Sequence, residues 1–183
     1  SGSPDNIATL IAMHDEIWLL GSQKASEVWY NAGNAAFPFA RSPGVFIEHG
    51  CAAPYSVAKH DLIVFWLGVD KDGQATVFQG QNYAAKRIST PAIAAVFSSY
   101  PVISDAIGMT YKQQDHVFYM LTFPSVSKTW VYDLSEEEWH ERCALDVDGN
   151  EIRHRANAIA FANGVPVVGD FSNGALYSFD LNN

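Results

Sequence analysis

The sequence predicts an all-β protein, a β-propeller of about four blades of antiparallel four-stranded sheet, with the last blade incomplete. Three observations carry that prediction. Four short apolar runs recur at nearly even spacing, each is followed by a second β-like run bearing an aromatic residue, and aromatics make up 13% of the chain. Branched and aromatic side chains suit pleated, packed surfaces.

The first runs are Ile17-Trp18-Leu19-Leu20-Gly21, Phe65-Trp66-Leu67-Gly68, Phe118-Tyr119-Met120-Leu121 and Val167-Val168-Gly169-Asp170. With Trp18, Trp66, Tyr119 and Val168 as anchors, the spacings are 48, 53 and 49 residues. That matches the blade period of propellers and exceeds that of leucine-rich repeats. The second runs are Val28-Trp29-Tyr30, Val77-Phe78, Trp130-Val131-Tyr132 and Leu176-Tyr177, offset from the anchors by 11, 12, 11 and 9 residues. Asp72-Gly73 and Asn173-Gly174 stand between first and second runs and predict tight primed turns, which need positive φ. Val131-Tyr132-Asp133-Leu134 and Ser178-Phe179-Asp180-Leu181 align 47 residues apart.

The remaining strands follow from this frame. Innermost strands are predicted at residues 7–13, 56–59, 106–111 and 157–161. They are rich in Ala, Gly and Ser, as suits strands converging on a central channel. Outermost strands are predicted at 37–41, 84–88 and 139–144, and the fourth unit shows none before Asn183. One segment departs from β patterning. Thr90 caps, Pro91 opens, and Ile93, Val96, Phe97 and Tyr100 are spaced as on a helix, so one short helix is expected near 91–100, ended by Pro101. The expected organisation is a single β-propeller domain over 5–183, or a fragment of a larger propeller, with Ser1-Gly2-Ser3 reading as a cloning remnant or truncation point.

Composition narrows function. A formal charge of −9 argues against direct nucleic-acid binding by this segment, because phosphate-gripping surfaces need clustered Lys and Arg. No apolar run reaches the roughly 20 residues of a membrane helix. Two cysteines, Cys51 and Cys143, make no disulfide framework and read as free thiols. The six histidines, His14, His49, His60, His116, His140 and His154, show no zinc-ligand spacing and read as locally satisfied polar residues. Asp146-Val147-Asp148-Gly149-Asn150-Glu151 resembles the opening of a calcium loop, but Asn157 occupies the twelfth position where a Glu is required. A turn on Asp148-Gly149 is the expectation there. Glu136-Glu137-Glu138 reads as a solvated turn. Nucleophile elbows and phosphate-cradling loops are missing from the sequence. The reading is therefore not an enzyme, with no catalytic, cofactor-binding or metal residue assigned.

An ordered series of motifs resembles a known family. Trp18-Leu19-Leu20-Gly21, Glu27-Val28-Trp29-Tyr30-Asn31, Phe37-Pro38-Phe39, Gly50-Cys51 and Phe65-Trp66-Leu67-Gly68 are followed by Arg87-Ile88-Ser89-Thr90, Leu121-Thr122-Phe123-Pro124, Thr129-Trp130-Val131-Tyr132-Asp133 and Trp139-His140-Glu141-Arg142. Together they resemble the packaged-DNA stabilisation proteins, or tail accessory factors, of short-tailed P22-like bacteriophages. The resemblance implies a structural virion protein of the phage tail, made in the bacterial host cytoplasm. It also implies a ring of copies that helps close the portal channel by contact with other tail and portal proteins. Family members are longer than 183 residues, so it implies a domain excerpt. The alternative is a propeller glycosidase or lectin acting on bacterial surface glycans, and a cellular propeller scaffold is a third reading. Against the alternative, the repeats share apolar anchors but not polar ones. Arg41, Arg87 and Arg142 all fall on predicted outer strands, away from any channel mouth.

Overall fold

A computed structural model describes residues 5–179. Its seventeen strands and one helix form blades in sequence order. Blade 1 holds β1 (Ile7–Met13), β2 (Glu16–Gly21), β3 (Ser26–Asn31) and β4 (Phe39–Arg41). Blade 2 holds β5 (Ala58–His60), β6 (Ile63–Val69), β7 (Ala75–Gln81) and β8 (Ala84–Arg87), and the helix α1 (Pro91–Ser98) follows. Blade 3 holds β9 (Ile107–Gln113), β10 (His116–Phe123), β11 (Lys128–Asp133) and β12 (Glu138–Glu141). After a small hairpin of β13 (Cys143–Leu145) and β14 (Glu151–Arg153), blade 4 holds β15 (Ala156–Ala162), β16 (Val165–Asp170) and β17 (Leu176–Ser178). Every blade is an antiparallel meander, and among the described residues blade 4 has three strands. The fold is the all-β propeller of about four blades that the sequence predicts. The expectations for Ser1 to Ser3, and for the aligned Asp180-Leu181, lie outside the described residues.

Turn chemistry sets the register. The first and second strands of each blade are joined by two residues, and the first of these has positive φ in all four: His14 at 48°, Asp61 at 48°, Gln114 at 48° and Asn163 at 51°. Such short left-handed connections match the twist of paired strands. The second and third strands are joined differently from the expectation for Asp72-Gly73 and Asn173-Gly174. Only the glycine of each pair has positive φ, and the loops are longer, closed by Asp70 N to Gln74 O and Asp170 N to Ala175 O at 2.9 Å each. An aspartate organises each loop. Asp70 accepts from Asp72 N at 2.9 Å, and Asp170 accepts from Ser172 N at 2.6 Å. An Asx carboxylate bonding the amide two residues on makes these turns without primed geometry.

The core consists of three junctions between successive blades. Between blades 1 and 2 lie Trp18, Leu20, Val28, Val64, Trp66 and Phe78. Between blades 2 and 3 lie Phe65, Leu67, Val77, Tyr119, Leu121 and Phe123, with Phe65 stacked on Tyr119 at 5.0 Å. Between blades 3 and 4 lie Met109, Tyr111, Met120, Val131 and Val168. Middle blades are therefore apolar on both faces, which is why β6 reads Ile63-Val64-Phe65-Trp66-Leu67 without alternation. Each fully buried large side chain contributes about 1.5–3 kcal/mol.

Helix α1 seals the outer part of the second junction. Thr90 Oγ1 caps it by accepting from Ile93 N at 3.2 Å. Phe97 is fully buried beside Phe123, Trp130 and Trp139 at ring distances of 4.9, 5.9 and 5.8 Å.

Two expectations need correction. Trp18 and Trp66 are not equivalent repeat positions. Trp18 points forward from blade 1 and Trp66 backward from blade 2, so both enter one junction, and Leu19 is the residue on the Trp66 side of its sheet. A one-residue offset exchanges strand faces, and two adjacent apolar faces look alike in sequence. The outer strand expected at 139–144 stops at Glu141. Cys143 to Leu145 pairs instead with Glu151 to Arg153 around a turn in which the Asp146 carboxylate accepts from Asp148 N and Asn150 N. Arg142 follows β12 and still donates its amide to Thr129 O at 2.9 Å, while its guanidinium lies over the rings of Tyr111 and Phe118.

Candidate protein interface

A propeller blade has two faces, and the end blades show how far each is covered. Blade 1 turns Trp18, Leu20 and Val28 into the first junction, where they are at most 2% exposed. Its opposite face carries Leu10, Ile17, Leu19, Trp29, Phe37 and Phe39, set by pairings such as Leu10 with Leu19 and Ile17 with Trp29. Leu10 and Phe37 are each 60% exposed, and Ile17, Leu19, Trp29 and Phe39 are half-buried. Phe37 packs edge-on against both Trp29 and Phe39, at 6.2 Å in each case. The only charges set among them, Glu27 and Arg41, pair with each other at 3.4 Å, and Trp29 Nε1 donates to Glu27 at 3.2 Å. The face is thus apolar with its charge neutralised internally.

Blade 4 is the reverse in size. Its uncovered face carries Ala158, Ala160, Ala162, Val165, Val167, Gly169 and Leu176, read from the pairings of Ala158 with Gly169 and Gly169 with Leu176. Leu176 is 74% exposed. Among the described residues no strand pairs with the outer edge of β17, and no hydrogen bond joins blade 4 to blade 1. The inner strands of the first three blades are stitched by Lys59 Nζ to Ala12 O and Thr110 Oγ1 to Lys59 O, at 2.6 Å each. Two broad apolar sheet faces on one acidic chain exceed the scattered exposed apolar residues of an ordinary surface, and such patches mark contact sites.

The polar residues singled out in the sequence sit apart from one another. His116 Nδ1 meets Asp133 Oδ2 at 2.6 Å, holding that carboxyl below its ordinary range despite the opposing pull of burial. His49 stacks on Phe78 at 4.2 Å, and burial lowers its pKa. His140 and His154 are lowered by burial and then by the Arg142 charge. Among the described residues no three of His, Cys, Asp and Glu gather as a metal-binding group. The Asp146 to Glu151 segment is the expected turn. Glu137 ion-pairs with Lys86 at 2.8 Å across the exposed rims of blades 2 and 3, so the acidic tip is not wholly solvated. Trp18 and Trp66 are buried between blades, while Trp130 and Trp139 are half-buried against the second junction. A hollow of about 750 Å³ along the inner strands of blades 2 to 4 is lined by Tyr55, Lys59, Ile107, Met109 and Phe161, with Asp105 its one carboxylate among the described residues. Apolar faces on the end blades are expected of an unclosed propeller, but their residues are not legible in the sequence, because a covered and an uncovered sheet face have the same composition.

No helix among the described residues is long and apolar enough to cross a membrane. Comparison with solved structures finds the N-terminal domain of Nup159, at 10% identity and a TM-score of 0.44, covering 94% of this chain and 54% of that one. A complex of S. cerevisiae Dbp5 with Nup159, Gle1, IP6 and ADP gives a TM-score of 0.43, again at 10% identity, covering 94% of this chain and 54% of that one. The chain thus spans about half the length of these matches, and both superpositions are too loose to bear on function. No curated protein sequence matches the chain. The family profile described as "Bacteriophage P22 Gp10, beta-propeller" matches residues 1–183, the whole chain. The chain therefore belongs to this phage stabilisation family, whose members are structural, DNA-stabilising proteins of the virus particle.

Proposed function

We propose that the chain acts in the virion as a tail accessory factor that helps close the portal channel after packaging, by contacts with portal and tail proteins. The observation that carries this reading is the pair of uncovered apolar blade faces, Leu10, Ile17, Leu19, Trp29, Phe37 and Phe39 on one end blade and the Ala158 to Leu176 face on the other. Such faces gain free energy only when covered by protein, whether further blades of a larger propeller or neighbouring copies in a ring. The charge of −9 favours a plug that excludes DNA over one that grips it. Role and charge agree: a seal against packaged DNA works by protein–protein packing, with no chemical step and no residue in a catalytic role.

The test is a phage lacking the gene. Expected are heads that package DNA and then lose it, with retention restored by the wild-type gene but not by one carrying Leu10→Glu and Trp29→Glu. Heads that retain DNA fully without the protein would sink the reading. A purified chain that hydrolyses a chromogenic glycoside panel would instead favour the glycosidase alternative.

A further inference from the structure

The junction of blades 3 and 4 concentrates positive charge in an otherwise acidic chain. A hollow of about 420 Å³ opens there, lined by Gln113, Arg142, His154, Arg155, Asp170 and Tyr177 among others. Three of the ion pairs in this chain occupy arginines elsewhere or at the rim: Arg41 with Glu27, Arg87 with Asp70, and Arg155 with Asp170 at 3.4 Å. Arg142 and Arg153 stand apart from these; Arg153 lies over the Phe171 ring at 3.7 Å and donates to Asn157 Oδ1 at 3.3 Å, outside the hollow, whereas Arg142 lines it. Arg142 makes no ion pair among the described residues, and its guanidinium is held over the rings of Tyr111 at 5.7 Å and Phe118 at 5.6 Å. A guanidinium held near aromatic rings keeps N–H groups for an acceptor, even with one directed at the Tyr111 hydroxyl.

The neighbours add donors rather than acceptors. His154 Nδ1 accepts from Ala156 N at 3.1 Å, so the neutral ring carries its proton on Nε2. The Asp170 carboxylate lies in the hollow but is already taken by Ser172 N and Oγ, both at 2.6 Å, and by Arg155. Among the described residues Arg142 thus lacks an ion pair and stands beside further donors and a carboxylate that is already occupied.

We infer that this hollow is a carboxylate-binding pocket, with Arg142, His154 and Arg155 receiving an acidic side chain of a protein partner. At about 420 Å³ it has room for a carboxylate, its aliphatic stem and neighbouring atoms of the partner. An extended polyanion such as DNA is disfavoured by the adjoining hairpin β13–β14, tied to the pocket by Arg155 Nη2 to Leu145 O at 3.3 Å and bearing Asp146 and Asp148 at its tip. The inference goes beyond the tail role and does not depend on it, since the isolated chain suffices for the test.

The probe is N-acetyl-L-glutamate, titrated into the isotopically labelled chain and followed by the arginine Nε–Hε and histidine side-chain resonances. Inorganic phosphate and a short DNA duplex form parallel arms. Expected are saturable shifts at Arg142 and His154 with N-acetyl-L-glutamate, and about tenfold weaker binding after Arg142→Gln, the loss of one charged hydrogen bond. Arg142→Lys should recover part of the affinity. The absence of saturable shifts in the wild-type chain would overturn the inference, as would the same shifts appearing at lower concentration with duplex DNA or phosphate. Unchanged affinity in a folded Arg142→Gln chain would also overturn it.

Discussion

Trp18 and Trp66 close on the same glycine from opposite blades: a Cβ placed on Gly80 would stand 2.8 Å from the Cζ3 atom of each indole. Both rings are at most 2% exposed, and Trp66 Nε1 donates to Gly50 O at 3.1 Å, so neither is free to retreat. Gly80→Ala is therefore expected to destabilise the fold by about 1–3 kcal/mol, the usual cost of overpacking. The matching control is Gly169→Ala on the uncovered face of blade 4, where the nearest atom is Leu176 Cδ2 at 3.9 Å and no clash arises. Denaturant unfolding of both variants checks the pair, and equal midpoints would refute the tight-junction account.

Asp5 ties the start of the described chain to the β2–β3 turn. Burial pulls its carboxyl upward, but hydrogen bonds from Lys24 N, Gln23 N, Ser22 Oγ and Ala25 N outweigh that and bring its pKa from 3.8 down to about 2. A carboxyl depressed in the folded state adds stability that is fully present above pH 3.8 and lost as pH falls toward 2. Asp5→Asn should be less stable than wild type at pH 6, with the difference shrinking between pH 4 and 2. Thermal unfolding across that range measures it, and a pH-independent difference would contradict it.

The two thiols differ in access and acidity. Cys51 is buried, donates to Ala53 O at 3.1 Å, and burial pushes its pKa up to about 11 against the opposing hydrogen bonds. Cys143 is exposed. Since the thiolate is the reactive form, one thiol should react with iodoacetamide in the native chain and two only after denaturation. Peptide mapping of the alkylated protein identifies which, and native labelling at Cys51 would contradict the packing of the first junction.

The uncovered faces should make the isolated chain associate with itself as concentration rises. Leu10→Glu with Leu19→Glu adds charge to the blade 1 face without entering a junction, so it should keep the chain monomeric and shift stability by about 1 kcal/mol or less. Sedimentation velocity over a wide concentration range decides the matter. A wild-type chain that stays monomeric throughout would show that these faces need no cover.

Much of the fold was legible in the sequence because a propeller repeats one local pattern. Apolar runs, aromatic second strands and the Thr90-Pro91 helix start are each set within a dozen residues, and each lies in the chain where that pattern places it. The first-to-second strand turns are less legible, since His14, Asp61 and Gln114 adopt positive φ without the Asn-Gly or Asp-Gly signature, which only Asn163-Gly164 among the four carries. The candidate interface was legible only in kind. Leu19 and Leu20 are the same residue type, yet one is half-exposed and the other wholly buried.

The sequence by itself therefore determined the repeat, the all-β class and the family, all properties of local pattern and residue order. Tertiary structure decided the direction of each face: that Trp18 and Trp66 meet in one junction, that Trp29 and Phe39 have no blade over them among the described residues, and that the Arg142 guanidinium lies over Tyr111 and Phe118. The physical reason is the two-residue period of a strand. Where both faces are apolar, alternation carries no sign, and only the neighbouring blade gives it one.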